Sequence, residues 1–202
     1  MPRIGKIEYK PVSVRDVLTE MKNLSELMID LAYSAALFNS KELAEDVHEL
    51  EERVDTLAYL LDMNAMIAAR DAEDAESLVG VSVVASAADK ISDAAADIAA
   101  IVIKDIGVHP IVREAFEKVE EQLARVEILS GSLLANKKIG ELKLAPRIGV
   151  DIIAIRHGES WFSNPKDEDV VSPKDVVFVR GTSSGIETFK QLAAGVIQKL
   201  ED

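Results

Sequence analysis

Three long stretches of the chain repeat apolar residues at steps of three and four. The first runs Val14, Val17, Met21, Leu24, Met28, Leu31, Ala35 and Phe38. The second runs Leu43, Val47, Leu50, Val54, Leu57 and Leu61. The third runs Val81, Val84, Ala88, Ile91, Ala95, Ile98 and Val102. This spacing puts each set along one stripe of a helix. Ser13 with Asp16 three residues on forms a capping box for the first helix, with Asp in place of the usual Glu. Asn39-Ser40 breaks the first helix from the second, and Ser40 caps the second. The segment "RDAEDAES" separates the second from the third. Gly107 and Pro110 end the third and start a shorter fourth helix, to about Leu123. Long stripes joined by short links predict antiparallel neighbours, so this part is an all-α antiparallel helical bundle.

The rest of the chain changes period. "RVEIL", "VDIIAIR" and "DVVFVRG" read as strands, with "SWF" as a short strand between the last two. "KKIGEL" reads as a short helix or turn, and "SSGIETFKQLAAGVIQKL" as an amphipathic terminal helix. Gly and Pro divide the same way. Between Val12 and Ile106 the only one is Gly80, whereas seven Gly and three Pro follow Leu129. The expected fold class is α+β overall, with a helical bundle over residues 1–124 and a small α+β domain over residues 125–202.

Charge sharpens that division. Residues 1–125 hold 13 Lys/Arg against 25 Asp/Glu, a net of −12, and residues 126–202 hold 10 against 11, a net of −1. The whole-chain charge of −13 argues against a nucleic-acid partner, because phosphate binding needs a basic face. Aromatics are 4% of residues against 48% apolar, so the core is aliphatic and Ala-rich. The absence of Cys removes disulfides, thiol catalysis and Cys-ligated zinc. "MPRIGKIEYK" has charges with no apolar core behind them, so no signal peptide is expected. The best candidate span, "AAADIAAIVI", is too short for a bilayer and carries Asp97. A cytoplasmic protein is expected.

"IRHGES" carries the most suggestive chemistry. It resembles the Arg-His-Gly-Glu-Ser run of histidine phosphatases and phosphoglycerate mutases, in which the His becomes phosphorylated. That chemistry needs a second His, another Arg and an acid from far downstream. Residues 158–202 contain no His, and His48 and His109 lie upstream in helical or linker context. A phosphotransferase is therefore the least favoured reading, and no catalytic residue is assigned.

Read as an ordered set, the C-terminal part carries Gly131-Ser132, "IGELKL", "GVDIIAIRHG", Asn164-Pro165 and "PKDVVFVRG". From Arg125 to Ala193 this set resembles the TrkA-C domain, the C-terminal RCK domain of potassium transport regulators. Lys174 stands where that family usually has Gly before the Asp. The resemblance implies a domain that senses a small ligand, with no identity attached to that ligand. Arg156 and His157, a cationic pair at a strand end, are the candidate ligand-binding residues because such a pair could meet an anion.

Acidic residues spaced by four stand on the second and third helices: Glu51 with Asp55, and Asp89 with Asp93, with Asp97 one turn further. Such spacing puts each pair on one helix face within reach of a single cation. Oxygen ligands suit Mg, Mn, Ca or iron. The same carboxylates also read as a solvated acidic face. The helical part resembles one half of a PhoU domain, whose acidic helix motifs bind metal clusters. That resemblance implies a divalent metal ion at Glu51, Asp55, Asp89 and Asp93, and a homodimer that completes the pseudo-symmetric surface. No Gly-x-Gly-x-x-Gly run occurs, so no nicotinamide or flavin cofactor is expected. Together the two resemblances imply a non-catalytic regulator whose partner is a membrane cation transporter or channel, with potassium as the expected ion. The alternative is a metal-binding signalling adaptor tied to phosphate uptake.

Overall fold

The computed structural model describes residues 8–111 and 122–197. The chain divides into two compact units, Met1–Arg113 and Glu114–Asp202. The expected boundary at residue 124 falls inside the first strand of the second unit, Gln122–Glu127. The short fourth helix expected from Pro110 lies mostly outside the described residues. No described helix is long and apolar enough to cross a membrane.

The first unit holds α1 (Val14–Phe38), α2 (Lys41–Ala68) and α3 (Ala72–Ile103). Each begins at a side-chain cap. The Asp16 N–H donates to Ser13 Oγ, the Leu43 N–H to Ser40 Oγ, and the Asp74 N–H to Asp71 Oδ1. Asn39 ends α1 in the left-handed region at φ 51°, a conformation that Asn tolerates better than most side chains. The α2 stripe is buried at every expected position, Leu43 through Leu61. In α1 the stripe is buried from Val17 to Ala35, while Phe38 at the helix end is exposed.

On α3 the expected Ala88, Ala95 and Val102 are buried, while the rest of the buried row falls one residue after Val84, Ile91 and Ile98. Ala85, Ala88, Ser92, Ala95, Ala99 and Val102 face inward, while Val84 is 54% and Ile91 41% exposed. Small side chains here let α3 approach α1 and α2 closely. Ser92 Oγ lies 3.2 Å from Met28 Sδ on α1, which satisfies a hydroxyl in an otherwise apolar contact. The buried Asn64 on α2 brackets the segment entering α1. Its Nδ2 donates to the Leu60 and Lys10 carbonyls, and its Oδ1 accepts the Val12 N–H.

The second unit holds β1 (Gln122–Glu127), β2 (Lys137–Lys138), α4 (Ile139–Leu142), α5 (Leu144–Ile148), β3 (Val150–His157), β4 (Ser160–Ser163), β5 (Val170–Val171), β6 (Val176–Gly181) and α6 (Ser183–Ala193). The main sheet has the order β1-β6-β3-β4 and all its pairs are antiparallel. A register shift between Ile152 and Ala154 leaves Ile153 as the extra residue of a bulge. β2 and β5 form a separate small pair. α6 starts at Thr182, whose Oγ1 accepts the Gly185 N–H. It lays Ile186, Phe189, Leu192 and Ala193 into a core shared with Val126, Ile128, Val177 and Val179.

Candidate functional site

The run "RHGES" folds as a hairpin. His157 pairs with Ser160, which leaves Gly158-Glu159 as a two-residue turn. Gly158 sits at φ 60°, as the first position of such a turn requires, and a side chain there would be strained. The Gly of the motif is thus explained by hairpin geometry.

The same register sets the surroundings of His157. Arg156 is paired with Val176 across β3 and β6, so the next residue of β3 faces the start of β6. There His157 Nδ1 lies 2.6 Å from Asp175 Oδ1. Asp175 is 2% exposed, and its Oδ2 accepts the Ser172 N–H at 2.7 Å. The carboxylate therefore has a partner on each oxygen, as a buried charge requires. It holds the imidazole in one orientation and leaves Nε2 as the nitrogen available to a ligand.

His157 lines a cavity of about 260 Å³ together with Ile155, Phe162, Pro165, Asp169 and Val170. Arg156 is not among the residues that line this cavity. Successive strand side chains point to opposite faces, and its guanidinium carbon lies 5.7 Å from the Trp161 ring centroid. Trp161 in turn stacks on the buried Phe178 with centroids 5.0 Å apart. The two cationic residues read from sequence as a pair are thus separated by the pleat. Asp175, which anchors one of them, was legible only through the strand register.

A second cluster lies where α2 packs on α3. Burial, and after it the negative charges of Asp89, Glu51, Asp93 and Glu52, pushes the Asp55 carboxyl above its ordinary value. Burial likewise raises Asp89, with Asp93 and Asp62 adding to it and Lys90 opposing. The fold therefore puts Glu51, Asp89 and Asp93 within electrostatic reach of Asp55, and within reach of Asp89 adds Asp62, which accepts a hydrogen bond from Ser82. Glu51 is also engaged by His48, with Nδ1 2.9 Å from Oε2. Among the described residues, no three His, Asp or Glu side chains stand close enough together to hold a metal ion.

Comparison with known families adds two matches. The PhoU domain model matches residues 18–102, and the TrkA-C domain model matches residues 123–194. The chain joins a PhoU domain to a TrkA-C domain.

Among curated proteins, the chain is 27% identical over 74 residues to the Ktr system potassium uptake protein C of Bacillus subtilis (strain 168). That match covers 37% of this chain and 34% of the relative, so it spans about a third of the relative's length. Two solved structures are among the matches. The RCK_C domain dimer of S. agalactiae BusR in complex with c-di-AMP is 24% identical, covering 36% of this chain and 95% of that one, with a TM-score of 0.34. S. agalactiae BusR in complex with its busAB-promotor DNA is 13% identical, covering 92% of this chain and 98% of that one, with a TM-score of 0.35.

One expectation is corrected by these findings. The charge of −13 argues against a nucleic-acid partner, yet BusR, similar over 92% of this chain, is solved on promoter DNA. Net charge summed over a chain does not describe the field at one surface, and an acidic bundle can coexist with a near-neutral second domain. Nucleic acid is therefore not excluded by the charge.

Proposed function

We propose that this chain is a cytoplasmic regulator of potassium transport whose TrkA-C domain senses a small ligand. The coarser part, a regulatory ligand-sensing role linked to cation transport, rests on family identity. The finer part rests on one observation: beside the TrkA-C match, a stretch of 74 residues is 27% identical to part of a potassium uptake protein. A regulator of this kind works only if its ligand binds one arrangement of the protein more tightly than another.

Of the two candidate ligand residues, His157 lines the cavity, whereas Arg156 does not and lies against Trp161. The reading places the ligand's anionic or hydrogen-bonding group at His157 Nε2. Cyclic di-AMP, the molecule bound in the BusR RCK_C dimer, is the probe. Calorimetric titration of the full chain is expected to give saturable binding that weakens about tenfold in His157→Ala, the loss of one good polar contact. No heat with either protein overturns this choice of ligand, and equal affinity overturns the role of His157.

The acidic face of the PhoU domain favours a second reading, a divalent-metal-binding adaptor linked to phosphate uptake. Glu51, Asp55, Asp89 and Asp93 would have to converge to bind the ion, because no three of them stand close enough together to hold one. The raised values at Asp55 and Asp89 mean that the folded chain holds these protons more tightly than the unfolded one. Their protonated forms favour folding, and that contribution is lost as pH rises through the raised values. At neutral pH the crowding costs stability. Asp55→Asn is expected to raise the melting temperature at pH 7 by about 3 °C, taking ~0.5 kcal/mol for partly exposed charges. The gain disappears as pH falls below the ordinary carboxyl value of 3.8. Millimolar Mn²⁺ relieves the same repulsion, and so should stabilise the wild type more than the variant. Equal shifts in the two proteins would remove Asp55 from any metal site.

A further inference from the structure

The buried row of α3 leaves a second apolar row facing outward. Val84, Ile91 and Ile98 recur at a spacing of seven, and Ala87, Ala94 and Ile101 follow each of them by three. Val84 and Ile91 are 54% and 41% exposed, Ala87 and Ala94 are exposed, and Ile98 and Ile101 are half-buried. In heptad terms these are a and d positions, while the row packed on α1 and α2 occupies b and e. At the start of the exposed row the helix is bare of charge. No charged residue occurs from Ser77 to Ala88, in a unit rich in carboxylates. The charges that do border the row at the g positions are Lys90 and Asp97, one of each sign.

We propose that this row is a contact between two copies of the chain, with α3 antiparallel to α3 of the second copy. In an antiparallel pair an a residue faces a d residue. Ile91 then lies opposite the second copy's Ala94, Ile98 opposite its Ala87, and Val84 opposite its Ile101. Large thus meets small in the central layers, which allows close approach. The two-fold axis also sets Lys90 of each copy beside Asp97 of the other, so both charges bordering the face are matched by the face itself. In a parallel pair, g positions would meet e positions, and those are the buried Ala88, Ala95 and Val102. An isologous contact requires this kind of self-complementarity, and it commits the face to a second copy and to one orientation. The inference is independent of the ligand proposed for the TrkA-C domain.

The chain contains no Cys, so introduced thiols report without background. Ala87 and Ile98 of opposite copies face each other, whereas either residue is about 16 Å along the axis from its own equivalent, at ~1.5 Å per residue. A disulfide does not span that gap. Co-expressed Ala87→Cys and Ile98→Cys chains should form a mixed disulfide dimer on mild oxidation, and neither variant alone should do so. Lys90→Asp in both chains should reduce the mixed dimer several-fold, and adding Asp97→Lys should restore it. A folded mixture that gives no mixed disulfide overturns the contact. Self-linking of Ala87→Cys alone overturns the antiparallel orientation, and failure of the charge swap to restore linkage overturns the register. Circular dichroism of each variant confirms that the helices remain; Ala87 is exposed and Ile98 half-buried.

Discussion

Gly185→Ala is expected to destabilise the TrkA-C domain by about 3 kcal/mol, the upper range for overpacking. Gly185 lies in the first turn of α6, where the chain meets the turn between α5 and β3. A Cβ on it would lie 2.1 Å from the Ile148 carbonyl oxygen and 2.9 Å from Val150 Cγ2. The oxygen belongs to the backbone and has no rotamer by which to retreat. α6 would have to lift away, drawing Ile186, Phe189 and Leu192 out of the core. Gly181 meets the same turn, with a Cβ 2.3 Å from the Gly149 carbonyl oxygen. The single Trp of the chain, Trp161, lies in this unit, so its fluorescence reports the unit's unfolding. The midpoint should fall by roughly 15 °C. Gly131→Ala is the control, because nothing lies within 4 Å of its added Cβ. A fall of only a degree or two in Gly185→Ala would contradict the close approach of α6 to the α5–β3 turn.

The helices of the PhoU domain were legible because their stripes are long and their caps conventional. Ser13 and Ser40 cap α1 and α2 as their positions suggest. α3 was legible as a helix, but only half of its buried face was: Ala88, Ala95 and Val102 are buried as expected, and Ala85, Ser92 and Ala99 take the places of Val84, Ile91 and Ile98. Apolar periodicity weights Val84 and Ile91 above Ala85 and Ser92, whereas close helix packing selects the small residues. In the TrkA-C domain the long strands β3 and β6 were readable from their apolar runs. β5 is Val170–Val171 alone, too short for any period to show. The acids Glu51, Asp55, Asp89 and Asp93 were readable from spacing within each helix, and their mutual crowding depends on how α2 packs against α3. His157 was readable only as half of a cationic pair at a strand end. Its interest comes from Asp175 beneath it, distant in sequence and adjacent through strand pairing.

A regulator of potassium transport must change ion flux when it is removed, and the change must depend on the domain that senses the ligand. Uptake of rubidium, a potassium tracer, should therefore differ several-fold between cells with and without the gene at one or more external potassium levels. Reintroducing the wild-type chain should restore the original uptake, while Gly185→Ala, with its TrkA-C domain destabilised, should not. The PhoU domain would still be present in that variant, so the comparison assigns the effect to the ligand-sensing half. The direct measurement is rubidium uptake across a range of external potassium in cells lacking the gene and complemented with each form. Restoration by the wild type and not by Gly185→Ala is the predicted result. Identical uptake in all cells at every potassium level would contradict a role in potassium transport.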